Sequence, residues 1–270
     1  MDISVIIPTY KPQSYLWECL DSVCRQATGG YTYEVLLVLN GPKEPYYTAI
    51  QQYITSHPAL SIRFLYSEKA GVSVARNLAL ENAQADYITF IDDDDYMSPF
   101  YLKSLAACAA PDRIVMAKSI AFDDKTKETL PYRLTDEYER NCGKGLMPAH
   151  AVRSIYCGAC MKLIPSSMIA NCWFDTSLKN SEDALFIFDM SKRFNYIICA
   201  PQEAVYYRRV RLGSAAQLSS KKRMRHALRM LGKYTMTYLT APTQFNAIFY
   251  ITRMLGAIKG IYLMNFFINL

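Results

Sequence analysis

The chain has 270 residues, 51% of them hydrophobic and 20% charged, a composition that excludes a disordered, collagen-like or coiled-coil protein and fits one large or two small folded domains. Its net charge of +6 is unevenly spread: eleven basic and no acidic residues follow Glu203, whereas residues 1–203 hold 19 basic and 24 acidic side chains. An acidic body with a basic tail predicts metal chemistry in the first and an anionic surface as partner of the second.

In chain order, residues 3–7 (ISVII), 34–39 (EVLLVL), 62–66 (IRFLY) and 87–91 (YITFI) are short runs of β-branched and aromatic residues, the pattern of buried strands. Segments 13–26 and 72–83 repeat apolar residues at spacings of one, three and four, which predicts helices between the strands. Such alternation predicts βαβ units, hence an α/β fold with a parallel sheet covered on both faces. Residues 114–156 are polar and turn-rich and predict irregular structure. Pattern returns with strands over 155–164, 196–199 and 204–210 and a helix over 182–193. From Ser219 a further helix places Met224, Ala227, Leu228, Leu231, Thr235 and Tyr238 on one stripe and Lys221, Lys222, Arg225, Arg229 and Lys233 on the opposite arc. The apolar stretch 245–270 is broken by Arg253 and Lys259, short of the roughly 20 apolar residues of a spanning helix, and predicts a helix lying in a membrane plane or packed on protein.

The eight cysteines are too sparse for a disulfide scaffold, and the pair Cys157 and Cys160 lacks a second pair or a histidine cluster to make a zinc site. The N-terminus opens on a strand with no cleavable leader. Free thiols in a reducing cytoplasm are the expectation.

The strongest chemical signal is Phe90 to Tyr96, FIDDDDY. Four carboxylates directly after a hydrophobic strand lie at its carboxyl end, where open α/β sheets bind ligands. Their mutual repulsion calls for a divalent cation, and all-oxygen ligands favour Mg²⁺ or Mn²⁺. The alternative is a solvated acidic loop with Asp95 capping a helix that begins near Ser98. Pro8-Thr9-Tyr10 and Asn40-Gly41 follow the first two strands and open on the same edge. Gly71 to Asn77 leads a helix and sets Arg76 in its first turns, a pairing of amide donors and guanidinium that suits a diphosphate.

Together these pieces resemble the family-two glycosyltransferases of the GT-A fold: VIIPTY at 5–10, AGVSVARN at 70–77, FIDDDDYMSP at 90–99, and Phe174-Asp175 followed by Ser181-Glu182-Asp183. The resemblance covers residues 1–215. It implies a Rossmann-like, mixed but mostly parallel central sheet flanked by helices, with a nucleotide-sugar half (1–112), an acceptor half (113–215) and a basic helical extension (216–270). By the same resemblance Pro8, Thr9 and Tyr10 lie against the nucleobase, Arg76 lies near the diphosphate, and Asp92 and Asp93 contact donor or metal. Asp94 is then the direct ligand of Mg²⁺ or Mn²⁺, and Asp183, beside Glu182, the general base. Two departures stand out. Leu39 occupies a position where the family commonly has an aspartate, leaving Asn40 as the nearest polar group, and Ser181 stands where glycine is frequent.

The implied activity is inverting, metal-dependent transfer from a nucleotide-diphosphate sugar, a UDP-sugar, to a glycan acceptor, lipid-linked, in cell-surface polysaccharide synthesis. The expected location is the inner face of the cell membrane, held peripherally through the tail on an anionic surface. A homo-oligomer through the C-terminal helices is the alternative partner of that tail. Residues 206–214 read either as a flap over the diphosphate or as an edge strand with a solvated basic face. Nucleic acid is not expected, because the tail does not interleave basic and aromatic side chains. Two other functions stay open: a nucleotidyltransferase, which would carry glycines after the first strand where Pro8 to Pro12 has none, and a non-catalytic nucleotide-sugar scaffold.

Overall fold

The computed structural model describes the chain apart from residues 1, 59–60, 153–157, 212–219 and 267–270, and apart from the side chains of 150, 220–223 and 259–266. The first part alternates as expected: β1 (Ile3–Thr9), α1 (Tyr15–Cys24), β2 (Tyr33–Asn40), α2 (Tyr46–Ser56), β3 (Ile62–Ser67), α3 (Val72–Asn82) and β4 (Tyr87–Phe90). Every residue of β1 is buried, and so is β2 after Tyr33. Continuous apolar runs are what a sheet covered on both faces requires.

The second part is made of shorter pieces: β5 (Tyr96–Met97), α4 (Tyr101–Ala107), β6 (Arg113–Met116), β7 (Lys118–Asp123), β8 (Thr129–Leu130), α5 (Arg133–Asn141), β9 (Met147–Pro148), β10 (Lys162–Pro165), α6 (Ser166–Ile169), α7 (Glu182–Met190), β11 (Tyr196–Cys199) and β12 (Val205–Val210). Two helices, α8 (Ser220–Thr240) and α9 (Ala247–Phe266), close the chain.

The large sheet has the order β3-β2-β1-β4-β10-β6-β11-β9. All but β10 and β9 run the same way. A second sheet, β5-β12-β7-β8, lies beyond the carboxyl ends of its central strands and carries the basic segment in its interior, since β12 pairs with β5 on one side and β7 on the other. That excludes the edge-strand reading of residues 205–210; residues 212–214 of the expected flap lie outside the described residues.

Three further expectations need correction. Residues 114–156 are not irregular but contain β7, β8, α5 and β9, most of β6 among them too; their strands are short, and β7 finds its partner almost ninety residues later, with Ser119 opposite Tyr206. The strand expected over 155–164 is confined to β10, with residues 155–157 outside the described residues. On α8 the buried stripe is Ala227, Met230 and Tyr234, while Met224 and Leu228 are exposed. The reason is an aromatic socket. Phe188 of α7 receives Tyr234 at 5.1 Å and Phe245 at 5.0 Å between ring centroids, and Tyr238 stacks on Tyr250 of α9 at 4.2 Å, which rotates the helix from the position its sequence stripe suggests. Among the described residues no helix is long and apolar enough to cross a membrane.

Candidate active site

The site lies where the sheet changes direction. From β1 the chain moves outward to β2 and β3, then returns to β4 on the other side of β1, so the carboxyl ends of β1 and β4 diverge into a crevice. The β1–β4 ladder ends at Ile6 and Phe90. Pro8 comes two residues later on the same strand face, so its missing N–H costs no ladder bond, and being buried it shapes the crevice rather than lining it. Thr9 then turns its hydroxyl across the gap and donates to Asp93 Oδ2.

The four aspartates divide the work. Asp92, 44% exposed, accepts from Arg76 Nη2 at 2.8 Å. Asp94, 18% exposed, accepts from Arg211 Nη2 at 2.5 Å. Asp95 is buried and accepts from the Tyr206 hydroxyl at 2.6 Å and the Arg209 backbone N–H at 2.8 Å. It therefore fastens the loop to β12 and caps no helix; α4 begins after Phe100 without a side-chain cap.

Burial raises the Asp93 carboxyl to about 7, against the Thr9 hydrogen bond and with the charges of Asp94 and Asp92 adding to the rise. Burial also raises Asp94, with Asp92 reinforcing it and Arg211 opposing it. A loop of carboxylates pushed toward their neutral forms is a place where added positive charge is favoured. No three His, Cys, Asp or Glu side chains among the described residues converge on one point. The carboxylates of Asp93 and Asp94 have the hard-oxygen chemistry that Mg²⁺ or Mn²⁺ accepts, cations that can take one or two carboxylates and fill the rest of their shell with phosphate and water.

Sequence reading missed Arg209. It is buried under the loop, where its Nε donates to the Asp94 carbonyl at 2.7 Å, Nη1 to Asp124 at 2.6 Å and Nη2 to Glu18 at 2.5 Å. The signal was present as paired arginines inside the strand VYYRRV, but only the hydrogen bonds of Arg209 to Asp94 and Asp95 show which of them faces the aspartates.

The opposite wall carries Asp183 in the first turn of α7. Arg76, 3% exposed, gives Nη1 to Asp183 Oδ1 at 2.6 Å and stands 3.6 Å from Glu182 Oε1, while its Nη2 holds Asp92. Its guanidinium also lies 5.2 Å from the centroid of Phe174, which stacks on Phe186 at 4.0 Å. Burial opposes its charge, yet Asp183 and Asp92 more than compensate and keep it protonated. In place of a guanidinium open to a diphosphate, the structure has one that bridges the two acidic walls. Burial, with Asp183 beside it, raises the Glu182 carboxyl. Ser181 has φ +62°, the left-handed conformation that favours glycine.

On the third side, Tyr10 is exposed and its ring rests on Gly41; at φ +89° a Cβ there would stand 2.6 Å from the ring, so this position needs glycine. Asn40 is buried, donating to the Thr9 carbonyl at 2.7 Å and accepting from the Gly71 N–H at 2.8 Å. It ties the ends of β1 and β2 to the turn before α3 and is placed as a brace, not as a reader of a base. Leu39 points into the core.

With this geometry in hand, the chain can be set beside known proteins. Residues 4–169 match the sequence profile of Glycosyl transferase family 2. The chain is 25% identical over 222 residues to the poly(ribitol-phosphate) beta-N-acetylglucosaminyltransferase TarS of Staphylococcus aureus, covering 79% of this chain and 36% of that protein, so it spans about a third of the relative's length. The crystal structure of S. aureus TarS 1–349 in complex with UDP-GlcNAc superposes with a TM-score of 0.70 at 23% identity, covering 87% of this chain and 66% of that one. The mannosyltransferase PcManGT from Pyrobaculum calidifontis, in complex with GDP-Man and Mn²⁺, superposes with a TM-score of 0.60 at 17% identity, covering 96% and 73%. The GT-A architecture expected from the sequence is the one found, and the nucleotidyltransferase reading falls. The chain belongs to glycosyl transferase family 2.

Proposed function

We propose that this family 2 chain moves a sugar from a UDP-sugar to a hydroxyl of a teichoic-acid-type glycan, with inversion at the anomeric carbon. The observation that carries the reading is the span of Arg76: one guanidinium joins Asp183, the candidate base, to Asp92 of the donor-side loop. A base and a leaving-group site held a single side chain apart is the arrangement that attack from the face opposite the diphosphate requires. The name of TarS supports the acceptor class, and the UDP-GlcNAc in its crystal structure supports the base.

In this reading Asp183 accepts the proton of the attacking hydroxyl, help worth about 10²- to 10⁴-fold in rate. Arg76 orients it, and Tyr10 on Gly41 offers a ring face to the nucleobase. Asp94, with Asp93 or Asp92, would hold Mg²⁺ or Mn²⁺, which when bound supplies positive charge to the departing diphosphate. Arg211 neutralises Asp94 until then.

An acceptor carried on lipid, and peripheral contact with an anionic membrane, belong to the same proposal. Met224, Leu228, Met236 and Leu239 of α8 and Ile248, Ile251 and Leu255 of α9 are exposed, and Arg225 lies among them. Arg229 and Lys233, by contrast, are spent on the protein body, donating to the Ser177 carbonyl at 3.0 Å and pairing with Asp175 at 2.6 Å. The apolar residues thus carry more of the expected membrane contact than charge does.

The decisive experiment screens nucleotide sugars with a poly(ribitol-phosphate) acceptor, with and without Mn²⁺, for the wild type and Asp183→Asn. Transfer lost in the variant while UDP binding persists supports the reading. Equal turnover by both proteins, or none by the wild type with any donor, removes it and leaves the scaffold.

A further inference from the structure

The loop from Asp175 to Ser181 leads into Glu182 and Asp183, and α8 grips it at three points. His226 Nε2 lies 3.0 Å from Ser181 Oγ, Arg229 Nη2 donates to the Ser177 carbonyl at 3.0 Å, and Lys233 Nζ pairs with Asp175 Oδ2 at 2.6 Å. Positions 226, 229 and 233 fall on one face of a helix. Ser181 behaves unusually for its place. It is the residue before the first turn of α7, where a serine hydroxyl ordinarily accepts from its own helix, but it makes no such cap. Its hydroxyl faces His226 instead, and its backbone holds the left-handed conformation at a cost a glycine would not incur. Its carbonyl starts the helix by accepting from the Leu185 N–H at 3.1 Å, so its orientation sets that of Asp183 two residues on.

We propose that the stripe His226, Arg229 and Lys233 makes α8 a positioning element of the reaction, with His226 aiming Asp183 through Ser181. The proposal rests on the glycosyltransferase reading for its catalytic consequence but not for the tether itself. Helix α8 is then part of the active site's frame. The stored conformation at Ser181 gives the contact its function: released from His226, the hydroxyl is free to cap α7 and the backbone to leave the left-handed region, and both changes turn Asp183 away from Arg76.

The test compares the full chain with His226→Ala, His226→Gln and Ser181→Gly, reading kcat, donor KM, UDP affinity and thermal midpoint, together with hydrogen exchange of amides 175–183. His226→Ala is expected to lower kcat about tenfold, the scale of a small misplacement of a reacting group, with donor KM and UDP affinity within about twofold. His226→Gln, whose carboxamide can still meet the hydroxyl, should recover at least half of the rate. Ser181→Gly relieves the backbone yet loses the contact, so kcat should fall while the midpoint does not. In His226→Ala the loop amides should exchange faster. Wild-type kcat in both His226→Ala and Ser181→Gly, or a glutamine variant no better than alanine, overturns the proposal. If no protein of the set transfers sugar, the functional reading has failed instead, and the exchange data still decide the tether: unchanged protection in His226→Ala refutes it.

Discussion

The two walls of the crevice are held in opposite ways. On the donor wall the carboxylates belong to a loop strung between β4 and β5, with Asp93 locked to β1 by Thr9 and Asp95 locked to β12 by Tyr206 and Arg209. On the wall proposed to supply the base, Asp183 heads a helix that follows a left-handed serine; a guanidinium from α3 pairs with it, and a histidine of α8 meets the serine before it. Hydrogen bonds from the strands β1 and β12 on either side fix the first wall; side chains borne on helices hold the second. Damage to the donor wall should therefore appear in stability and ligand affinity, and damage to the base wall in rate.

Arg76 touches both walls, so its loss should have the largest effect. Arg76→Met leaves Asp92 and Asp183 without their shared counter-charge, and the midpoint should fall by several degrees and transfer by about a hundredfold or more. A variant with normal rate and stability would show that the bridge only fills space. Next, Asp95→Ala should cost about 1–3 kcal/mol in urea unfolding, because the buried Tyr206 hydroxyl and Arg209 N–H lose their acceptor. Asp94→Ala should instead leave the unfolding midpoint near that of the wild type and abolish divalent-dependent nucleotide binding. Similar behaviour of the two variants would erase the division within the loop.

A smaller effect follows from Asp93. Its folded pKa is raised to about 7, so the free protein carries a penalty that is absent below the ordinary carboxylate pKa and grows as pH rises toward 7. Asp93→Asn should raise the thermal midpoint at pH 8 more than at pH 4 when no nucleotide is present, and an equal gain at both would contradict the burial argument. The smallest effect concerns the α8 contact. Burial opposes the charge of Asp175, but Lys233 and Ser177 hold its carboxyl down to about 2, so the pair stabilises the fold above the ordinary carboxylate pKa and stops doing so as pH falls toward 2. The stability difference between wild type and Lys233→Ala in urea unfolding should be under about 1 kcal/mol near neutrality, since Lys233 is partly exposed, and should vanish near pH 2.

How far these walls were legible in the sequence depends on how their residues are held. β1, β2 and the aspartate run could be read because a strand buried on both faces leaves an unbroken apolar signature and its end marks the crevice. Asn40 could not, because a polar residue at a strand end looks the same whether it meets ligand or backbone until Gly71 is seen beside it. Arg209 and the α8 stripe escaped for a related reason: their partners lie about 50 to 190 residues away, and no local periodicity encodes such distances. Ser181 was visible as an oddity, but its meaning required the φ angle and the histidine.

The strands that link the two sheets have one more implication. β6 passes from the large sheet into β7 of the small one across the lone buried residue Ala117, while the four aspartates make a second crossing and residues 200–204 a third. So short a stitch gives the layers no slack, and neither can slide without tearing its neighbour's ladder. Acid and arginine are consequently kept in step by the covalent chain, and the electrostatic balance at the mouth of the crevice should survive thermal agitation that would separate the same charges on independent loops.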